Sequence, residues 1–65
     1  MKIVINGENT DTGAATLEAL LNELDIKPGM VAVELNLKVI SKCDYPTAAL
    51  AEGDRVEIVN FVGGG

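Results

Sequence analysis

Apolar positions along this chain switch between a period of two and a period near 3.6, and the switches predict its elements. Lys2 to Asn6 is a short β-rich run, with Ile3 and Ile5 on one face and Val4 on the other. Asn6-Gly7 supplies the positive-φ residues of a tight hairpin, so a weaker, polar edge strand follows over Asn9 to Thr12 and ends at Gly13. Leu17, Leu20, Leu21 and Leu24 then fall at i, i+3, i+4 and i+7, the single apolar stripe of an amphipathic helix. Thr16 is its N-cap, and Glu18 sits at the positive end of the helix dipole. Glu18, Asn22 and Glu23 take the wet side, and Pro28-Gly29 stops the helix and turns the chain.

From Val31 to Leu35 the period returns to two, with Val31, Val33 and Leu35 inward. Asn36-Leu37 turns into a short strand at Lys38 to Ile40. Leu37 is out of place in that turn, because a positive φ is costly for a leucine, and nothing in the sequence explains it. Ser41 to Ala51 is irregular, with one helical turn expected at Thr47 to Leu50. Glu52-Gly53-Asp54 is a turn, and Arg55 to Val62 is the last strand.

The order is thus strand, strand, helix, strand, strand, strand. The helix stripe can be buried on one face of a single sheet if the last strand enters beside the first. That arrangement is a β-grasp: an α+β fold with a mixed sheet of about five strands and one main helix packed on one face. Residues 1–62 form the domain and residues 63–65 a flexible glycine tail.

Composition narrows the function. With 65 residues, the domain buries only about 60% of the surface its unfolded chain exposes, and the 48% apolar content supplies a core without staples. One cysteine, Cys43, permits no intrachain disulfide and no structural zinc site. Lys42 beside it is offset by Asp44, so nothing visible activates the thiol, and it reads as an ordinary loop cysteine. The formal charge of −5 argues against nucleic acid and anionic membranes as partners. No stretch approaches the roughly 20 apolar residues of a membrane span, and Met1 to Asn6 lacks the pattern of a signal peptide. The expected location is cytoplasmic. With no histidine, no metal cluster and no phosphate-cradling loop, the chain does not read as an enzyme, and no cofactor is expected.

Gly63-Gly64-Gly65 closes the sequence directly after an apolar strand. Glycines have no side chain to pack and lose much entropy on ordering, so a projecting arm is expected. Its chemistry lies in the terminal carboxylate, which is a poor electrophile until transfer of AMP from ATP makes it an acyl-adenylate. A narrow active site reaching that carbonyl favours a backbone without Cβ atoms. Gly65 leaves the carbonyl unhindered, while Gly63 and Gly64 allow the arm to thread inward.

At this point the chain resembles the ThiS family, the sulfur carriers of thiamin biosynthesis, over nearly all its length. The likeness lies in Ile5-Asn6-Gly7-Glu8, in Thr16-Leu17 with Leu20-Leu21 and Leu24, and in Val31 to Asn36. It continues through Leu50, Gly53 to Val59 and Gly64-Gly65. Two departures stand out: Ser41-Lys42, where family members often carry Pro-Arg, and Asn36-Leu37, which lacks the frequent glycine. The resemblance implies a β-grasp and a cycle. A ThiF-like ATP-dependent activating enzyme adenylates Gly65, a cysteine desulfurase or other donor supplies persulfide sulfur, and thiazole synthase takes that sulfur from the thiocarboxylate. A molybdopterin-pathway carrier or a ubiquitin-like modifier would use the same activation, although molybdopterin carriers are longer before the last strand. A non-catalytic β-grasp interaction module is the remaining alternative. For docking, Val56 and Ile58 are expected to face the helix, leaving Val59 and Phe61 exposed at the root of the tail as the partner-binding patch.

Overall fold

A computed structural model describes residues 1–61. The first hairpin joins β1 (Lys2–Ile5) to β2 (Glu8–Asp11) in antiparallel register, Ile3 opposite Thr10. Its turn is Asn6-Gly7, with φ of 48° and 83°, the left-handed pair that matches strand twist. β2 begins and ends one residue earlier than the alternation predicts, because the turn has only two residues.

The helix, α1 (Leu17–Glu23), is capped as Thr16 predicts: its Oγ1 accepts from the Ala19 amide. The other amides of the first turn also find partners. Leu17 donates to the carbonyl of Ala48, Glu18 to that of Tyr45 and Leu20 to that of Thr16. Leu17, Leu20 and Leu21 are fully buried. Leu24, expected as the fourth member of the stripe, is instead the C-cap and 37% exposed. The helix ends before Pro28 because Asp25 adopts φ 58°, with its amide bonded to Asn22 and the Ile26 amide to Leu21. This is a Schellman closure with aspartate in place of the usual glycine, and Ile26 rather than Leu24 turns back onto the core.

Pro28–Met30 forms a short 3-10 turn into β3 (Val31–Leu35), which pairs with β4 (Lys38–Ile40) and with β5 (Arg55–Asn60), antiparallel to both. β5 also runs parallel to β1, giving the order β2-β1-β5-β3-β4. The last strand therefore enters beside the first and forms the centre of a mixed five-stranded β-grasp sheet, as expected. The expected helical turn at Thr47 to Leu50 is absent. A 3-10 turn lies at Lys42–Asp44 instead, and Ala49 bridges to Thr16. Thr47 and Ala48 donate to the Asp44 carbonyl, so the segment folds back to cover the start of α1.

The core lies between α1 and one sheet face: Ile3, Leu17, Leu20, Leu21, Val31, Val33 and Val56, closed by Tyr45 from the irregular segment. Truncating a fully buried leucine such as Leu20 to alanine costs about 2–5 kcal/mol. Burial pushes the Tyr45 phenol above its ordinary pKa, opposed by a backbone hydrogen bond at Val33. Buried Thr12 is satisfied by donating to Glu23 at 2.7 Å while accepting from the Ala14 amide. No helix among the described residues is long and apolar enough to cross a membrane.

Candidate functional site

The candidate site is the end of β5 together with the sheet face that α1 leaves uncovered. Strand parity sorts β5 as expected: Val56 is buried and Ile58 packs against the core, whereas Val59 is 59% and Phe61 53% exposed. Phe61 lies beyond the end of β5, but its amide still donates to the Met30 carbonyl at 3.0 Å. That bond places Met30, 47% exposed, across from Phe61, next to the Val59–Ala32 pair. The apolar patch at the tail root is thus larger than Val59 and Phe61. The sequence hid Met30 because it falls inside a Pro-Gly turn with no periodicity to assign it a face.

Two asparagines grip β5 from opposite edges. The parallel pairing with β1 ends at Ile5–Val56, where β1 turns away. Asn6 then continues the ladder with its side chain: its Oδ1 accepts from the Ile58 amide at 2.7 Å and its Nδ2 donates to the Ile58 carbonyl at 3.2 Å. On the other edge, Asn36 Oδ1 accepts from the Arg55 amide and its Nδ2 donates to Asp54 Oδ1, both at 3.0 Å. Asp54 Oδ2 in turn accepts from the Ala51 amide at 2.8 Å. β5 is therefore held at its start, Arg55, and again at Ile58 by side chains that bond its backbone. Read singly, Asn6 and Asn36 look like turn residues; their second use needs the topology.

Farther from the tail root the same face carries Glu57 directly opposite Glu34, with Val39 opposite Glu34 on the other side. It ends at a recess of about 100 Å³ lined by Val4, Gly7, Leu37, Arg55 and Glu57. Cys43 is exposed in the Lys42–Asp44 turn. Among the described residues, no group of three or more His, Cys, Asp or Glu could hold a metal ion. Gly63, Gly64 and Gly65, the expected threading and reacting residues, lie outside the described residues.

Fold and face together define the class: a β-grasp domain whose central strand leads from a packed core to its C-terminal segment, past an uncovered apolar patch. The ThiS family model matches residues 3–65. A solved ThiS, a thiamine biosynthesis protein of Geobacter metallireducens, superposes with a TM-score of 0.86 at 32% identity, covering 100% of both chains. The sulfur carrier protein ThiS of Bacillus subtilis is 38% identical, over 94% of this chain and 96% of its own length. The chain belongs to the ThiS family, the sulfur carriers of thiamin biosynthesis. It is also 50% identical to a stretch of a thiazole synthase of Paramagnetospirillum magneticum, and there it spans only 20% of the relative's length. The same holds for a thiazole synthase of Magnetococcus marinus, at 48% identity and 20% of its length.

Proposed function

We propose that this chain carries sulfur on the carboxylate of Gly65, as a co-substrate that catalyses nothing itself. A ThiF-like enzyme joins the carboxylate to the α-phosphorus of ATP with loss of pyrophosphate. The terminal sulfur of a persulfide, supplied by a cysteine desulfurase or another donor, then displaces AMP at the carbonyl carbon. A thiol cleaves the resulting acyl disulfide and leaves the thiocarboxylate, whose sulfur thiazole synthase incorporates. Family membership carries this reading, and the two thiazole synthases that contain a stretch like this chain support the choice of acceptor. Gly63 and Gly64 thread the arm, and Val59 with Phe61, joined by Met30, forms the docking patch at its root.

Intact mass of the chain incubated with activating enzyme, ATP and a sulfur source should show one oxygen-to-sulfur exchange, mapped to the last peptide. Deleting Gly65, or extending the chain past it, should abolish the gain. Normal thiocarboxylation of an extended chain would refute the assignment of Gly65, and stable conjugates on substrate lysines would move the reading to a protein modifier. Cys43→Ser should still accept sulfur; a persulfide mapped on Cys43, with transfer lost in the serine variant, would place the sulfur on the thiol instead.

A further inference from the structure

Leu37 is a strained, exposed apolar residue that neither the fold nor the proposed cycle uses. It stands at φ 72°, a region costly for any residue with a Cβ, and is 85% exposed, so it contributes almost nothing to the core. A glycine or asparagine would serve that turn better. Strain retained at an exposed apolar side chain points to a use outside the folding of the chain. Its surroundings specify the use. Leu37 edges the recess formed with Val4, Gly7, Arg55 and Glu57, at the end of the uncovered face opposite the tail root. From Arg55 to Phe61 that face extends about 20 Å, at roughly 3.3 Å rise per residue. Beside that recess, Glu34 and Glu57 are cross-strand neighbours, a like-charge pair that weakens the free sheet, with Arg55 the cation on the same face two residues from Glu57. A basic side chain laid over the pair would reverse that term.

We propose that Leu37 is a binding anchor for thiazole synthase, inserted into an apolar pocket of that enzyme while one of its basic side chains bridges Glu34 and Glu57. The inference rests on the sulfur-carrier reading and adds a second contact point to the patch at the tail root. Two anchors about 20 Å apart would fix the orientation of the domain as well as its position, so that the arm enters the acceptor site from one direction. A second copy of this chain fits poorly on the face. It would set one Glu34–Glu57 pair against another in a chain of formal charge −5.

The test compares Leu37→Gly, Leu37→Lys and Leu37→Met with wild type. It uses calorimetric titration of thiazole synthase from the same organism, thermal melting, and the rate of thiocarboxylation by the activating enzyme. Leu37→Gly should raise Tm by about 4 °C, since the turn is relieved, and weaken binding to thiazole synthase about tenfold, or ~1.4 kcal/mol. Thiocarboxylation should stay near the wild-type rate. Leu37→Lys should lose binding without gaining stability, and Leu37→Met should keep it. Wild-type binding that Leu37→Gly leaves unchanged would overturn the anchor alone. A wild-type chain that is thiocarboxylated but has no affinity for thiazole synthase would overturn the acceptor assignment and the anchor with it. Self-association that is lost in Leu37→Gly would put a second copy on the face and likewise refute the proposal.

Discussion

The turn between β1 and β2 and the turn between β3 and β4 begin alike. Asn6 and Asn36 both adopt left-handed φ, at 48° and 50°, and both reach sideways to hold β5. They differ at the next residue, where one turn has Gly7 at 83° and the other Leu37 at 72°. Where the two turns agree, the fold requires it: a tight reversal and a partner for a strand whose neighbour has ended. Where they differ, folding accounts for Gly7 and not for Leu37. The first turn carries the glycine that its positive φ favours, and the second carries an exposed leucine at a similar φ.

The asparagine grip should be the larger of the two effects, so removing it comes first. Asn6→Ala deletes both bonds to Ile58 and leaves a Cβ residue in the left-handed region, which should cost about 2 kcal/mol. Asn6→Gly keeps the turn unstrained and should cost about 1 kcal/mol, the hydrogen bonds alone. Denaturant melts give both values, and amide exchange at Ile58 should quicken in both variants. If the glycine variant is as stable as wild type with Ile58 still protected, the side-chain continuation of β1 contributes nothing.

Exchanging the second turn residues sharpens the contrast. A Cβ at Gly7 would meet nothing within 4 Å, so Gly7→Leu is penalised by conformation rather than by clash. It should lose about 1 kcal/mol. The reverse change, Leu37→Gly, should gain somewhat less than 1 kcal/mol, because glycine also adds entropy to the unfolded chain. Equal and opposite effects would mean that both turns are governed by φ alone. Destabilisation by Leu37→Gly would show that Leu37 packs in solution, and the comparison between the turns would fail.

This contrast also shows what periodicity can reveal. The spacing of Leu17, Leu20 and Leu21 predicts a buried stripe because side-chain direction repeats with the helix, and all three are buried. Leu24 fits the same spacing, yet Asp25 closes the helix through a left-handed residue that the sequence does not advertise as glycine would. The alternation in β5 exposes Val59, and Phe61 just past its end, for the same reason that it buries Val56. Tyr45 and Met30 lie in segments with no period, so their surroundings come from tertiary packing: one is core and the other surface. The asparagine grip depends on β5 lying between β1 and β3, a fact of topology rather than of local sequence. The expectation for Gly65 rests on chemistry and resemblance rather than on spacing, and that residue lies outside the described ones.

The smallest effect lies beneath the second turn, where Glu34 and Glu57 face each other across β3 and β5. Residues opposite one another in an antiparallel pair have Cβ atoms about 5 Å apart, and like charges there destabilise by roughly 0.2–1 kcal/mol. Both carboxylates reach solvent, so the lower end applies and salt should screen the term. Glu57→Gln should therefore stabilise the free chain by about 0.3 kcal/mol at low ionic strength and by less at about 1 M salt. Melts of wild type and variant across a salt series would read this as two curves that converge. If thiazole synthase docks as proposed, the same substitution should weaken that association and flatten its salt dependence, since a basic side chain over the pair would lose half its acidic seat. Opposite signs for stability and binding are what a face kept for a partner requires. If Glu57→Gln lowers stability at every salt concentration, the pair is held favourably within the chain itself, and it would offer a partner no unsatisfied charge.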